Sequence, residues 1–107
     1  MSIYTNIICN DKNEYVLSKQ LLRSGTSIGA NTNEAQAAQS KNDFIAKVAI
    51  ASKEARESKY WIELLIKTNY LEAHSKLTKS LLNEIEEIVK LLTSIVKSSQ
   101  NDSKLNT

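Results

Sequence analysis

Most of the residues in this 107-residue chain that could do chemistry are basic and carboxylate side chains carried at helical spacing. Lys12, Lys19 and Arg23 fall near one side of one segment, and Lys53, Arg56, Lys59 and Lys67 recur along another. Cations repeated in this way suit a phosphate backbone, which is held by charge and not by the edges of its bases. Glu54, Glu57 and Glu63 interrupt the second set, and in a single chain such a run reads first as a solvated face. A ring of copies would repeat each weak patch by symmetry and gather it into a basic surface.

A second group is polar and near a seam of small residues. Arg23, Asn31 and Glu34 span about three helical turns, and Glu54 and Glu57 on a neighbouring segment could answer Arg23. Buried polar groups of this kind set register and pairing more often than they catalyse. The reading for Arg23, Asn31, Glu34 and Glu54 is therefore a structural polar cluster.

The catalytic options are thin. His74 is the only histidine and has no Cys or second His at ligand spacing, which gives no metal site. Ser24, Thr26 and Ser27 have no base at a recognisable spacing, and Glu-x-x-His, the motif of di-metal carboxylate bundles, is absent. Helix-turn-helix, zinc, phosphate-cradling and base-stacking signatures are absent too. The expectation is a non-enzymatic protein with no cofactor. The lone Cys9 suits a reducing compartment, and the lack of a leader pattern or a run of about 20 apolar residues gives a cytoplasmic expectation with no membrane contact.

These residues must be positioned by helices. The chain has no proline and two glycines, is rich in Leu, Ile, Ala, Lys, Glu and Ser, and carries a net charge of only +2. That composition predicts an all-α domain, and the charge is too mild for wrapping nucleic acid by charge alone. Leu17, Leu21, Ser24, Ile28, Asn31, Ala35 and Ala38 make one stripe, and Phe44, Val48, Ala51, Ala55, Ser58, Ile62 and Leu65 make another. Gly25 and Gly29, one turn apart, are expected to pack closely against Ala51 and Ala55. A missing Cβ there would offset about 1 kcal/mol of helix propensity at each glycine.

The spacing predicts helices near 2–9, 14–38, 41–68 and 73–98, with a break at 10–13. Ser40 and Asp43 form an N-terminal cap, and 68–72 forms a turn. The result is an up-down four-helix bundle with a shortened first helix, over domain residues 1–98, and a polar disordered tail over 99–107. Leu77, Leu81, Leu82, Ile85, Ile88, Val89, Leu92, Ile95 and Val96 make the last helix apolar over a face wide enough for several neighbours.

The run Gln20-Leu21-Leu22-Arg23-Ser24-Gly25-Thr26-Ser27-Ile28-Gly29-Ala30-Asn31, then Glu34-Ala35 and Ser40-Lys41-Asn42-Asp43-Phe44-Ile45, resembles the bacterial four-helix-bundle proteins encoded in intervening sequences of 23S ribosomal RNA genes. The resemblance continues through Ala49 to Glu57, Tyr60-Trp61 and Asn69-Tyr70-Leu71. It departs at the start, where only the last part of a first helix precedes residues 10–13, and in the mild net charge. The family includes the accessory variability proteins of diversity-generating retroelements. Those look like barrel-shaped homopentamers that bind nucleic acid and a reverse transcriptase.

The resemblance thus implies a homo-oligomer, a pentamer foremost. Its partners would be RNA or DNA, and a reverse transcriptase only where a retroelement is adjacent. Lys12, Lys19, Arg23, Lys53, Arg56 and Lys59 would make the phosphate contacts. The alternative is an assembly or partner-binding protein with no nucleic-acid role.

Overall fold

The structure, a computed structural model, describes the backbone of residues 3–105 and the side chains of residues 12–101. The described residues are all-α, in three helices: α1 (Ile3–Gln36), α2 (Lys41–Lys67) and α3 (Lys76–Leu105). This corrects the expected four. The break placed at 10–13 does not occur, because Asn, Asp and Lys there lower helix propensity by only a few tenths of a kcal/mol each and no glycine or proline stops the helix. The backbone of α3 likewise stays helical to Leu105, through most of the stretch expected to be a disordered tail; residues 106 and 107 lie outside the described ones.

The turns follow local chemistry. Ser40 accepts a hydrogen bond from the Asp43 backbone N–H at 3.0 Å and opens α2 as a true N-cap. At the other end Thr68 closes α2, and Asn69 takes a left-handed φ of 67°, which an Asn side chain tolerates better than most. Ser75 accepts from the Thr78 backbone N–H at 3.1 Å and caps α3, a signal missed in the sequence.

Helix α2 is the centre of the molecule. Its stripe is buried from Val48 through Ala51, Ala55, Ser58 and Ile62 to Leu65, with Phe44 half-buried at its start. Helix α1 runs antiparallel along one side, joined by contacts between Ser24 and Ser58 and between Glu34 and Lys47. Helix α3 lies along the other side, contributing Ile85 and Leu92 to the core. Among the described residues no Cα of α1 comes within 8 Å of α3.

The two outer helices therefore splay and leave a groove above α2. Leu21, Leu22, Gly25, Thr26, Ile28 and Gly29 form one wall, Leu81, Glu84, Ile85 and Ile88 the other, and Ser58 and Ile62 the floor, around a volume of about 560 Å³. This overturns the expected role of the glycines. A Cβ built on Gly25 or Gly29 meets nothing within 4 Å, so neither presses against Ala51 or Ala55. The alanines are fully buried, and a direct contact of small residues between α1 and α2 is that of Ser24 with Ser58.

Candidate nucleic-acid interface

On the side of α2 away from α1, the flank shared with α3 is basic. Arg56 of α2 and Lys97 of α3 line one shallow hollow with Ala49, Ser52, Thr93 and Val96. A second hollow adjoins it along α3, with Val89, Lys90, Thr93, Ser94 and Lys97 around about 440 Å³. The two share Thr93 and Lys97, and no carboxylate lines either.

Helical repeat explains the arrangement. Lys90, Thr93 and Lys97 stand three and four residues apart on one side of α3, and Ser52 and Arg56 stand four apart on α2. Arg56 is held along its helix by a 3.3 Å hydrogen bond from its Nη1 to the Ser52 Oγ. Exposed cations beside hydroxyl donors can neutralise and hydrogen-bond phosphate oxygens. The residues lining the two hollows include no carboxylate, histidine or cysteine, so the set suits holding an anion better than transforming it.

The other candidates are scattered. Lys53 is exposed on the outer side of α2, and Lys59 faces Glu86 at 3.9 Å. Lys12 and Lys19 are exposed on α1, with the Lys19 Nζ 5.9 Å from the centre of the Tyr15 ring. Arg23 is committed elsewhere: it donates to Glu57 at 2.8 Å, to Glu54 at 3.3 Å and to Gln20 at 3.1 Å. The Glu57 hydrogen bond, with the charge of Glu54 added, raises the proton affinity of its guanidinium. Of the six proposed phosphate contacts, only Arg56 lies on the shared flank. Lys90 and Lys97, which line the same flank, were not among the six, although their spacing on the last helix was visible.

The expected polar cluster separates into three local contacts. Arg23 joins Glu54 and Glu57, whereas Asn31 donates within its own helix to the Ser27 carbonyl at 2.9 Å and Oγ at 3.2 Å. Glu34 pairs with Lys47 at 2.8 Å and, chiefly through that hydrogen bond, raises the pKa of the lysine. Tyr60 and Trp61 meet edge to face with ring centres 5.0 Å apart. Tyr60 is exposed, and the buried Trp61 indole N–H has no acceptor.

His74 is exposed in the loop after α2, and Cys9 lies outside the described side chains. Among the described residues no three His, Cys, Asp or Glu side chains converge as a metal site, and no helix is long and apolar enough to cross a membrane.

The ordered motif of α1 and α2 recurs beyond this chain. Residues 1–94 match the family described as 23S rRNA-intervening sequence protein. The chain belongs to that family. Its fold is also similar to the crystal structure of a protein of unknown function from the S23 ribosomal protein family of Bacteroides thetaiotaomicron VPI-5482. The two are 55% identical, with a TM-score of 0.72, and the match covers 82% of this chain and 80% of the other. No curated protein matches. For a 23S rRNA-intervening sequence protein, the match through residue 94 takes in both helices of the α2–α3 flank as far as Thr93 and Ser94.

Proposed function

We propose that this protein is a non-enzymatic, cytoplasmic, homo-oligomeric helical scaffold that holds RNA or DNA by its phosphate backbone. The observation behind this reading is the flank of Arg56, Lys90 and Lys97 beside Ser52, Thr93 and Ser94, lined without a carboxylate. A homopentamer, as the resemblance implies, would repeat that flank around a ring, so a net charge of +2 per chain need not limit the local field. A reverse transcriptase is a further partner only where a retroelement adjoins the gene.

Binding through phosphates is nearly blind to sequence and sensitive to salt. Each neutralised phosphate contributes about −0.9 to the slope of log affinity against log salt on duplex DNA. Titration of the intact protein into mixed-sequence RNA and DNA is expected to give binding at low salt that weakens steeply toward physiological salt. Absence of binding at low salt would sink this reading.

A second reading, assembly with no nucleic-acid role, is favoured by the open apolar groove between α1 and α3. In that case the oligomer forms and the titration stays flat.

A further inference from the structure

The hydroxyls of this molecule divide by place. Thr26, Thr32 and Thr68 each donate to the carbonyl four residues back in their own helix, at 2.8, 2.9 and 2.8 Å, and Ser24 and Ser58 bond each other. On the flank shared by α2 and α3 the pattern changes. Ser52 is 3% exposed and lines the smaller hollow, where its Oγ accepts from Arg56 at 3.3 Å, but its own proton meets no acceptor among the described residues. Thr93, in the middle of α3 on the same hollow, donates to none of them either. Buried hydroxyls as a rule keep their partners, so an unused one lining a hollow leaves room for an acceptor from outside.

The cations there are unused too. Arg23, Lys47 and Lys59 each face a glutamate at 3.9 Å or less, whereas Arg56 and Lys97 face none among the described residues. Ala49 and Val96 complete the hollow between them, which at about 130 Å³ suits one phosphoryl group and is too small for a nucleoside. An internal phosphodiester would bring a single charge to it. A terminal phosphate monoester brings about −1.5 to −2 at pH 7, with three acceptor oxygens. Arg56 and Lys97 match that charge, and the Ser52 and Thr93 hydroxyls stand beside them to bond the oxygens.

We propose that this hollow is a site for the terminal phosphate monoester of a nucleic-acid strand. The first nucleoside lies in the adjoining hollow of about 440 Å³, against Val89. Lys90 stands about 10 Å from Lys97 along α3 and meets the phosphate that follows. The inference rests on the phosphate-binding reading above and narrows it, since the flank then grips strand ends in preference to strand interiors. Along an interior the same cations meet separate phosphates, whereas an end lets both close on one.

The test titrates the full chain, by fluorescence anisotropy at low salt, into one mixed-sequence single-stranded RNA carrying a 5′-phosphate, a 3′-phosphate or hydroxyls at both ends. A phosphorylated end is expected to bind about tenfold tighter than hydroxyl ends at neutral pH. Excess uridine 5′-monophosphate removes that advantage, and uridine does not. The advantage also shrinks at about pH 5.5, because the monoester takes up a proton near about pH 6 and no carboxylate or histidine lines the two hollows. Ser52→Ala/Thr93→Val keeps both cations and is expected to lose the preference while the salt slope on the hydroxyl-ended strand stays unchanged. Lys97→Met, at an exposed position on α3, is expected to lose the preference with circular dichroism unchanged. Equal affinity for all three strands would overturn the end site and leave the phosphate-backbone reading standing. Absence of binding to every strand at low salt would overturn both.

Discussion

The hydroxyls of Ser24 and Ser58 meet at 2.7 Å, both buried, between α1 and α2. Ser24 also bonds the Leu21 carbonyl of its own helix at 3.1 Å, so its hydroxyl is satisfied twice. Two small polar side chains at the same level do what the glycines were expected to do. They bring the helices together and fix their register by one buried hydrogen bond.

Removing either serine hydroxyl should be felt. Ser24→Ala is expected to cost about 1–3 kcal/mol, because the Ser58 hydroxyl stays buried with its partner gone. The double variant Ser24→Ala/Ser58→Ala should lose less than the two single losses added, as coupled neighbours do. Urea denaturation of the four proteins closes this cycle, and strict additivity would show that the pair is not coupled.

The glycines should behave in the opposite way from a packed seam. Gly25→Ala and Gly29→Ala add a methyl where nothing lies within 4 Å. In protein diluted to the monomer each is expected to stabilise by about 1 kcal/mol through helix propensity alone. A loss of stability in urea would return the glycines to a close intrachain contact.

The pair of Lys47 and Glu34 sets a pH dependence whose sign can be worked out. The Glu34 carboxylate raises the pKa of Lys47 in the folded chain, while an unfolded lysine titrates near about 10.4. The folded state thus holds the proton more tightly. The stability gained is complete below the unfolded value and disappears as the pH rises through the folded one. Lys47→Met should be modestly less stable than wild type at pH 8, with the gap in urea midpoint closing above about pH 10.5. A gap that persists at pH 12 would mean that the lysine acts through its stem and not its charge.

The placement of cations ranks their effects on nucleic acid. Arg56→Ala/Lys97→Ala is expected to flatten the salt slope on duplex DNA by about 1.8, two phosphate contacts' worth. Lys53→Ala/Lys59→Ala, which removes one outward lysine and one facing Glu86, should change it by less. Fluorescence titrations at several salt concentrations decide this, and equal effects from the two pairs would remove the special status of the shared flank.

Much of the helical architecture was readable along the chain. The stripe from Val48 to Leu65 is buried as its spacing demanded, and Ser40 caps α2 because a side-chain oxygen three residues before an amide is a purely local arrangement. The break at 10–13 was misread because weak helix formers in a row lower the helix content of a free peptide without ending a helix. The site was less legible. Arg23, Asn31 and Glu34 lie near one another in sequence, yet each takes a different partner, and two of those partners are on another helix.

By itself, then, the sequence determined the all-α class, the apolar faces of its helices, the cap at Ser40 and the family, since all of these rest on residue types at short spacings. Only the tertiary structure decided which helices touch. It put Arg56 beside Lys97, paired the half-exposed Arg23 with Glu54 and Glu57, and turned Gly25 and Gly29 toward an open groove. A helix has several faces of similar character, and periodicity marks each of them. Which face meets a neighbour depends on helices placed some thirty residues away in the chain, and no local spacing encodes that distance.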